Sequence, residues 1–335
     1  MINDPHDGIM AIDTHVDIPW PPGPSAFEDG PRCVDLPKMR RGRIAATCFV
    51  AFVPQGPRNA EGHAAATARA GAMLDDIAAM APADGSGGML ATTADAIEAA
   101  FAARKPGIVP VIENGYAVGT ELSNLDEFAA RGVRYITLTH NGHNAIADAA
   151  IPLSSLDDPP ALYGGFSDFG QSVVDRMNKL GILVDISHTA KTTMLQAVER
   201  SRVPVFASHS CVRALCDHKR NLDDEQLEAL GATGGLIQIT IVSSFLRPKA
   251  RTGDVSVADI ADHVDYVVKR IGIDHVGIGT DFDGGGEVRD FRNASQAPVL
   301  TAELARRGYG REELQKIWGG NFLRLLRQAE AFAAG

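Results

Sequence analysis

A histidine and an aspartate stand two residues apart in Ala11-Ile12-Asp13-Thr14-His15-Val16-Asp17-Ile18-Pro19-Trp20. In extended backbone, residues i and i+2 project to the same side, so His15 and Asp17 offer a nitrogen and an oxygen to one divalent metal. Pro19 lacks the N–H that a central strand needs and stops the segment. Five more apolar runs end in an ionisable residue: Glu113 after 108–112, His140 after 135–139, His188 after 182–186, His209 after 203–207 and Asp281 after 275–279. Imidazoles and carboxylates without thiolates suit Zn²⁺ or a similar divalent ion. The set is large enough for two metals if one carboxylate bridges them. Two such ions can hold a hydroxide between them and polarise a carbonyl. Asp281 is then left over to take the nucleophile's proton and pass it to a leaving group.

The elements that must position these groups alternate along the chain. Apolar runs at 10–12, 44–53, 108–112, 135–139, 182–186, 203–207, 235–241 and 275–279 read as strands. Segments 60–80, 93–104, 125–131, 169–180, 191–200, 223–230 and 257–271 read as helices, as does much of the remainder, while residues 21–43 read as a long loop. The strands are continuously apolar, as strands covered on both faces should be. This order predicts an α/β fold, a (β/α)8 TIM barrel with elaborated loops, forming one domain over 1–335. In such barrels the chemistry sits at the C-terminal strand ends, so groups from six strands would meet on one rim. A doubly wound sheet would want a Gly-x-Gly-x-x-Gly turn or a P-loop after a strand. Gly277-Ile-Gly279 lies inside its strand and does not qualify.

Other polar residues carry blander readings. His188 and His209 are also readable as core histidines bonded to backbone carbonyls. Asp185 faces the opposite side of its strand from the site by the period of two, whereas Asp13 shares the parity of His15 and Asp17 and reads as a supporting residue. His143 and His218 fall in loops and read as solvated; His6, His63, His263 and His275 have no companion at a strand end.

A net charge of −10 argues against a nucleic-acid partner, which favours a basic footprint. No apolar run approaches the ~20 residues of a membrane span, and the N-terminus lacks a basic start and apolar core, so neither membrane association nor a signal peptide is expected. Cys33, Cys48, Cys211 and Cys216 form no Cys-x-x-Cys pair and read as reduced thiols, which points to a cytoplasmic location. A homodimer is compatible with the sequence, which sets no oligomeric state.

Taken together, the motifs are recognisable. Asp13-Thr-His-Val-Asp-Ile-Pro-Trp20, Ile112-Glu-Asn-Gly115, Arg134-Tyr-Ile-Thr-Leu-Thr-His-Asn141, Asp185-Ile-Ser-His188, Ser208-His-Ser210, Arg220-Asn221, Val276-Gly-Ile-Gly-Thr-Asp-Phe-Asp-Gly284 and Gly319-Gly-Asn-Phe-Leu-Arg324 run nearly end to end. In order and spacing the chain resembles the renal (membrane) dipeptidase family of zinc dipeptidases, peptidase family M19, within the amidohydrolase superfamily. The resemblance implies two Zn²⁺ ions, or other divalent metals, with His15 and Asp17 on one, His188 and His209 on the second and Glu113 bridging. It implies Asp281 as the proton-transferring aspartate, His140 as the residue steadying the oxyanion, and Arg220 as the holder of a substrate carboxylate. Without the resemblance, Arg220 reads as a surface residue in a Lys-Arg pair. The family usually has Asn where this chain has Val16, a position that should point away from the metals. Many two-metal amidohydrolases bridge with a carbamylated Lys; the strand ends here contain none, which favours Glu113.

The activity so implied is hydrolysis of a dipeptide by a metal-bridging hydroxide, with acceptance of a C-terminal D-residue left open. The alternatives are an N-acyl amino acid deacylase on the same site and, from another class, a metal-binding barrel without catalysis.

Overall fold

The structure, a computed structural model, describes residues 4–335; the N-terminal residues 1–3, which entered the signal-peptide reading, lie outside the described residues. Eight parallel strands follow one another around a barrel: β1 (Ala11–Asp17), β2 (Ile44–Phe52), β3 (Gly107–Glu113), β4 (Tyr135–Thr137), β5 (Leu183–Asp185), β6 (Phe206–Ser210), β7 (Leu236–Ile239) and β8 (Val276–Ile278). A two-residue strand, Met89–Leu90, also pairs with the start of β3. The ring closes at the rim, where Val16 bridges Phe282 in parallel and the Asp281 N–H donates to the His15 carbonyl at 2.9 Å. The expected (β/α)8 barrel is therefore the fold.

Within the expected long loop over 21–43, Leu36–Gly42 is a helix capped by Asp35 with Pro37 in its first turn, and two strands lie several residues from where the sequence puts them. β1 does not end at Ile12 but runs on through His15 and Asp17. β6 begins at Phe206 rather than 203, because Pro204 has no N–H for the ladder, and it extends through His209 to Ser210.

Alternation along the strands sorts two apolar layers. Ile108, Ile112, Ile136, Val184, Ile237 and Ile278 face outward into the layer shared with the helices. Val50, Val109, Val111, Tyr135, Leu183 and Phe206 face inward. The C-terminal helix Asn321–Ala334 joins this inner cluster through Phe322, Leu325 and Leu326, with Phe322 5.9 Å from the Phe206 ring. Helix starts follow local chemistry: Thr93 caps Ala94–Ala102, and capping boxes at Asp223/Gln226 and Ser256/Asp259 begin Asp224–Ala232 and Val257–Ile271. No helix among the described residues is long and apolar enough to cross a membrane.

His6, without a companion in the sequence, is a structural residue. It is fully buried; its Nε2–H donates to the Gly42 carbonyl at 3.0 Å, and its Nδ1 accepts from Thr301 Oγ1 at 2.6 Å. Thr301 Oγ1 in turn accepts from Trp318 Nε1 at 2.8 Å, so the network ties the N-terminal segment to the C-terminal helices. Burial, aided by the nearby Arg43 charge, pushes His6 down to about 4 from its ordinary 6.5. The folded chain thus holds the neutral form, and its stabilisation is complete above pH 6.5 and is lost as the pH falls towards 4. His6→Ala is expected to destabilise by about 2–3 kcal/mol at pH 7 in denaturant unfolding. The gap to the parent should narrow between pH 7 and pH 4.

Candidate metal centre

Glu113 is the point on which the rim converges. It ends β3 on the inward parity of Val109 and Val111, so strand geometry alone aims its carboxylate into the barrel mouth. Its two oxygens face different neighbours: Oε2 lies 3.8 Å from His15 Nε2, whereas Oε1 lies 3.0 Å from His188 Nε2 and 3.4 Å from His209 Nε2. The His188 and His209 Nε2 atoms are themselves 3.0 Å apart. His15, Asp17 and Asp281 form a further group of converging donors, and His140 joins Glu113 and His188. The structure thus brings together all seven strand-end residues that the sequence marked.

The histidines reach this point by departing from regular strand geometry. His188 has a left-handed backbone (φ 68°), and β6 shifts register against β7 between Ala207 and Ser210, where His209 lies. β1 shifts against β2 between Asp13 and Val16. Val16 packs in the outer apolar layer, away from the donors, as its parity suggested. Asp281 is also left-handed (φ 64°), and the loop after it closes tightly over the donors: a Cβ at Gly284 would collide with the Asp17 and Asp281 carboxylates.

This explains one correction. Asp185 does not face away from the site; it is buried in the interior directly beneath it. Its Oδ2 accepts from Ser208 Oγ at 2.6 Å and from the Thr137 hydroxyl, and its Oδ1 accepts from the Ser187 and Ser208 N–H groups. Asp185 follows the inward parity of Leu183; the left-handed turn at His188 is what returns that histidine to the same side.

Hydroxyl groups below the site decide which imidazole nitrogen is free. Tyr135 OH donates to the Thr14 carbonyl at 2.8 Å, so its oxygen accepts from His15 Nδ1 at 2.8 Å. Ser208 Oγ donates to Asp185 and accepts from His209 Nδ1 at 2.8 Å. His188 Nδ1 faces the Asn141 amide oxygen at 3.3 Å. In all three the protonated nitrogen is turned to the protein, and the Nε2 lone pair is turned to Glu113.

Burial shifts the ionisable groups of the cluster. It raises Glu113 to about 8, and raises Asp17 with help from the Glu113 charge. Burial lifts Asp281 to about 7 and presses His140 down to about 3, with Arg220 adding to the second effect. His188 and His209 are held neutral by the same burial. His15 Nε2 and Asp17 Oδ1 have no hydrogen-bond partner among the described residues. Buried lone pairs that converge without donors between them are costly unless a cation sits among them. Nitrogen and oxygen donors with no thiolate fit a divalent metal.

The surrounding cleft has a volume of about 570 Å³. Arg220 lies in its wall and is buried rather than on the surface. One terminal nitrogen donates to the His209 carbonyl at 3.2 Å, Nε has no partner among the described residues, and the guanidinium lies 5.6 Å from the centre of the Phe245 ring. His140 packs edge-on against Phe52, with ring centres 4.7 Å apart. Asp13 supports the rim, as its parity suggested: it accepts from the Thr280 N–H and hydroxyl. His143 is not solvated but buried, with Nε2 donating to the Pro159 carbonyl at 2.8 Å and Nδ1 accepting from the Ala149 N–H at 3.0 Å. Tyr135, Ser208 and Asp185 in their supporting roles were missed in the sequence; the adjacency of Ser208 to His209 was the available signal.

A (β/α)8 barrel with this donor set at its C-terminal rim is of the class built to bind metal there. The chain matches the model of the membrane dipeptidase family over residues 3–335, and it belongs to that family, peptidase family M19. It is 35% identical over 245 residues to dipeptidase 3 of Rattus norvegicus, covering 72% of this chain and 48% of that protein. Among solved structures it resembles the probable dipeptidase PvdM from Pseudomonas aeruginosa with a TM-score of 0.93 at 28% identity, covering 98% of each chain. It also resembles dipeptidase AC, a metallo peptidase of family M19, with a TM-score of 0.84 at 25% identity, covering 96% of this chain and 98% of that one. The chain spans about half the length of the curated relatives it matches.

The hydroxyl anchors generate a direct test. Ser208→Ala and Tyr135→Phe should each weaken metal affinity about 10- to 100-fold, measured by competition with a chelating dye, because they free His209 or His15 to take the wrong tautomer.

Proposed function

We propose that the chain is a metal-dependent dipeptidase whose rim holds two divalent cations, with Zn²⁺ suited to the donors. The observation that carries this reading is the division of the Glu113 carboxylate, one oxygen towards His15 and the other towards His188 and His209. His15 and Asp17 would hold one ion, His188 and His209 the other, and Glu113 both. When bound, such a pair supplies an activated water and polarises the scissile carbonyl.

The remaining steps fall to the chain's own residues. Arg220 orients the substrate: its unpartnered Nε, buried in the cleft wall, is available to the C-terminal carboxylate, and a planar guanidinium suits a two-point grip. That grip favours short peptides, whose carboxylate lies one residue from the scissile bond. His140, neutral and held against Phe52, presents a ring N–H to the developing oxyanion. Asp281, turned into the mouth by its left-handed backbone, takes a proton and delivers it to the leaving amine. The family and the dipeptidases it contains favour a dipeptide over an N-acyl amino acid as substrate.

A dipeptide panel with metal-loaded protein tests the proposal. Asp281→Asn should lower kcat by about 10²–10⁴ with metal still bound; full activity in that variant would sink the proton-transfer role. Arg220→Met should raise KM for dipeptides far more than for the corresponding dipeptide amides, which lack the carboxylate. Removal of metal with a chelator should abolish turnover and lower Tm, and a divalent cation should restore both.

A further inference from the structure

Two guanidinium groups line the catalytic cleft, and only one of them has a task so far. Arg220 follows β6. The other, Arg69, lies on the helix Ala60–Ala78 that follows β2, with Met73 one turn further on in the same wall. In an eight-stranded ring β2 and β6 stand across from each other, so the two cations occupy opposite walls with the donor cluster between them.

Arg69 is tethered but not neutralised. Its Nε donates to the Phe52 carbonyl at 3.2 Å, which fixes the plane of the guanidinium at the end of β2. Neither terminal nitrogen has a protein hydrogen-bond partner among the described residues, and no carboxylate lies within salt-bridge distance of Arg69 there. The group is only partly exposed. A partly desolvated cation with both terminal donors free is a ready two-point site for a carboxylate.

The geometry points to Arg69 as the residue that selects the acyl side of the substrate, and to dipeptides with an acidic N-terminal residue, aspartate or glutamate, as the preferred class. This rests on the dipeptidase reading. Under it, Arg220 and Asp281 both serve the leaving residue, one at its carboxylate and the other at its amine. The opposite wall then receives the N-terminal residue. Its ammonium group is repelled by Arg69 and turns away from it. What remains to meet Arg69 is the side chain, and Phe52 and Met73 give its methylenes an apolar bed. The two guanidinium groups, on opposite walls of the cleft, thus match a peptide with a carboxylate at each end.

The test compares Glu-Ala with Gln-Ala, which differ by one charge at nearly constant shape, in the parent and in Arg69→Gln. The parent is expected to favour Glu-Ala in kcat/KM by about tenfold, the effect of one charge-assisted contact. Arg69→Gln should bring that ratio close to one, and Arg69→Glu should shift preference towards Lys-Ala. Because the readout is a ratio within one protein, a general loss of folded enzyme leaves it unchanged. A parent ratio near one, or a preference retained in Arg69→Gln, overturns the proposal. Calorimetric titration of the metal-loaded protein with phosphinate isosteres of the same two dipeptides gives a second readout without turnover. The same discrimination, lost in Arg69→Gln, is expected there, and its absence from the parent also overturns the proposal. If no dipeptide is cleaved yet the isosteres are distinguished, the dipeptidase reading fails while the Arg69 site stands.

Discussion

The burial of the Glu113 carboxylate among three imidazole lone pairs constrains everything above the barrel core. A carboxylate in that position would ordinarily be answered by hydrogen-bond donors. Here the nearest side-chain atoms are His15, His188 and His209 Nε2, whose protons have been drawn to the other ring nitrogen by Tyr135, Asn141 and Ser208. The protein has therefore removed its own donors from the centre of the site. Such an arrangement is unfavourable by itself and becomes favourable when a cation takes the vacated place, which is why the supporting hydroxyls matter as much as the donors.

Those hydroxyls are in turn fixed from below. Ser208 Oγ can accept from an imidazole because its own proton goes to Asp185, and Asp185 is held by Thr137 and two backbone N–H groups. Tyr135 stands in the inner apolar layer with Phe206, their rings 5.2 Å apart, so the tautomer of His15 is set by a residue packed in the core. Orientation passes from close-packed strands, through one layer of hydroxyls, to the donors. Each donor ring is thus oriented by a partner that is itself packed or hydrogen-bonded below it.

Much of this was legible in the sequence because it follows from periodicity. Continuous apolar runs named all eight strands, and the ionisable residue closing each of six runs named the donors. Glu113 obeys strict alternation and was placed by it. The residues that were misread are those where alternation fails or a tertiary partner decides. Regular alternation back from His188 puts Asp185 on the far side, and the left-handed backbone at His188 breaks that alternation. His143 looked like a solvated loop residue, but its partners are the Pro159 carbonyl and the Ala149 N–H, 16 and 6 residues away in a loop whose path composition does not reveal. Arg220 beside Lys219 had every mark of a surface pair; its burial follows from how the loop after β6 folds back under Phe245.

Several irregular positions gather at the rim. His188, Asp281 and Asp283 are left-handed, and both register shifts that place His15 and His209 fall towards the C-terminal rim. Each left-handed non-glycine residue costs on the order of 1 kcal/mol and persists only where the surroundings over-determine it. At the opposite end of the barrel, Phe206, Tyr135 and inward aliphatic residues pack with Phe322 and Leu326 of the C-terminal helix. Close packing there gives the strands that carry the donors a fixed base. The helix Asn321–Ala334 is part of that base, because its Phe322 ring lies 5.9 Å from Phe206 of the strand that ends in His209 and Ser210.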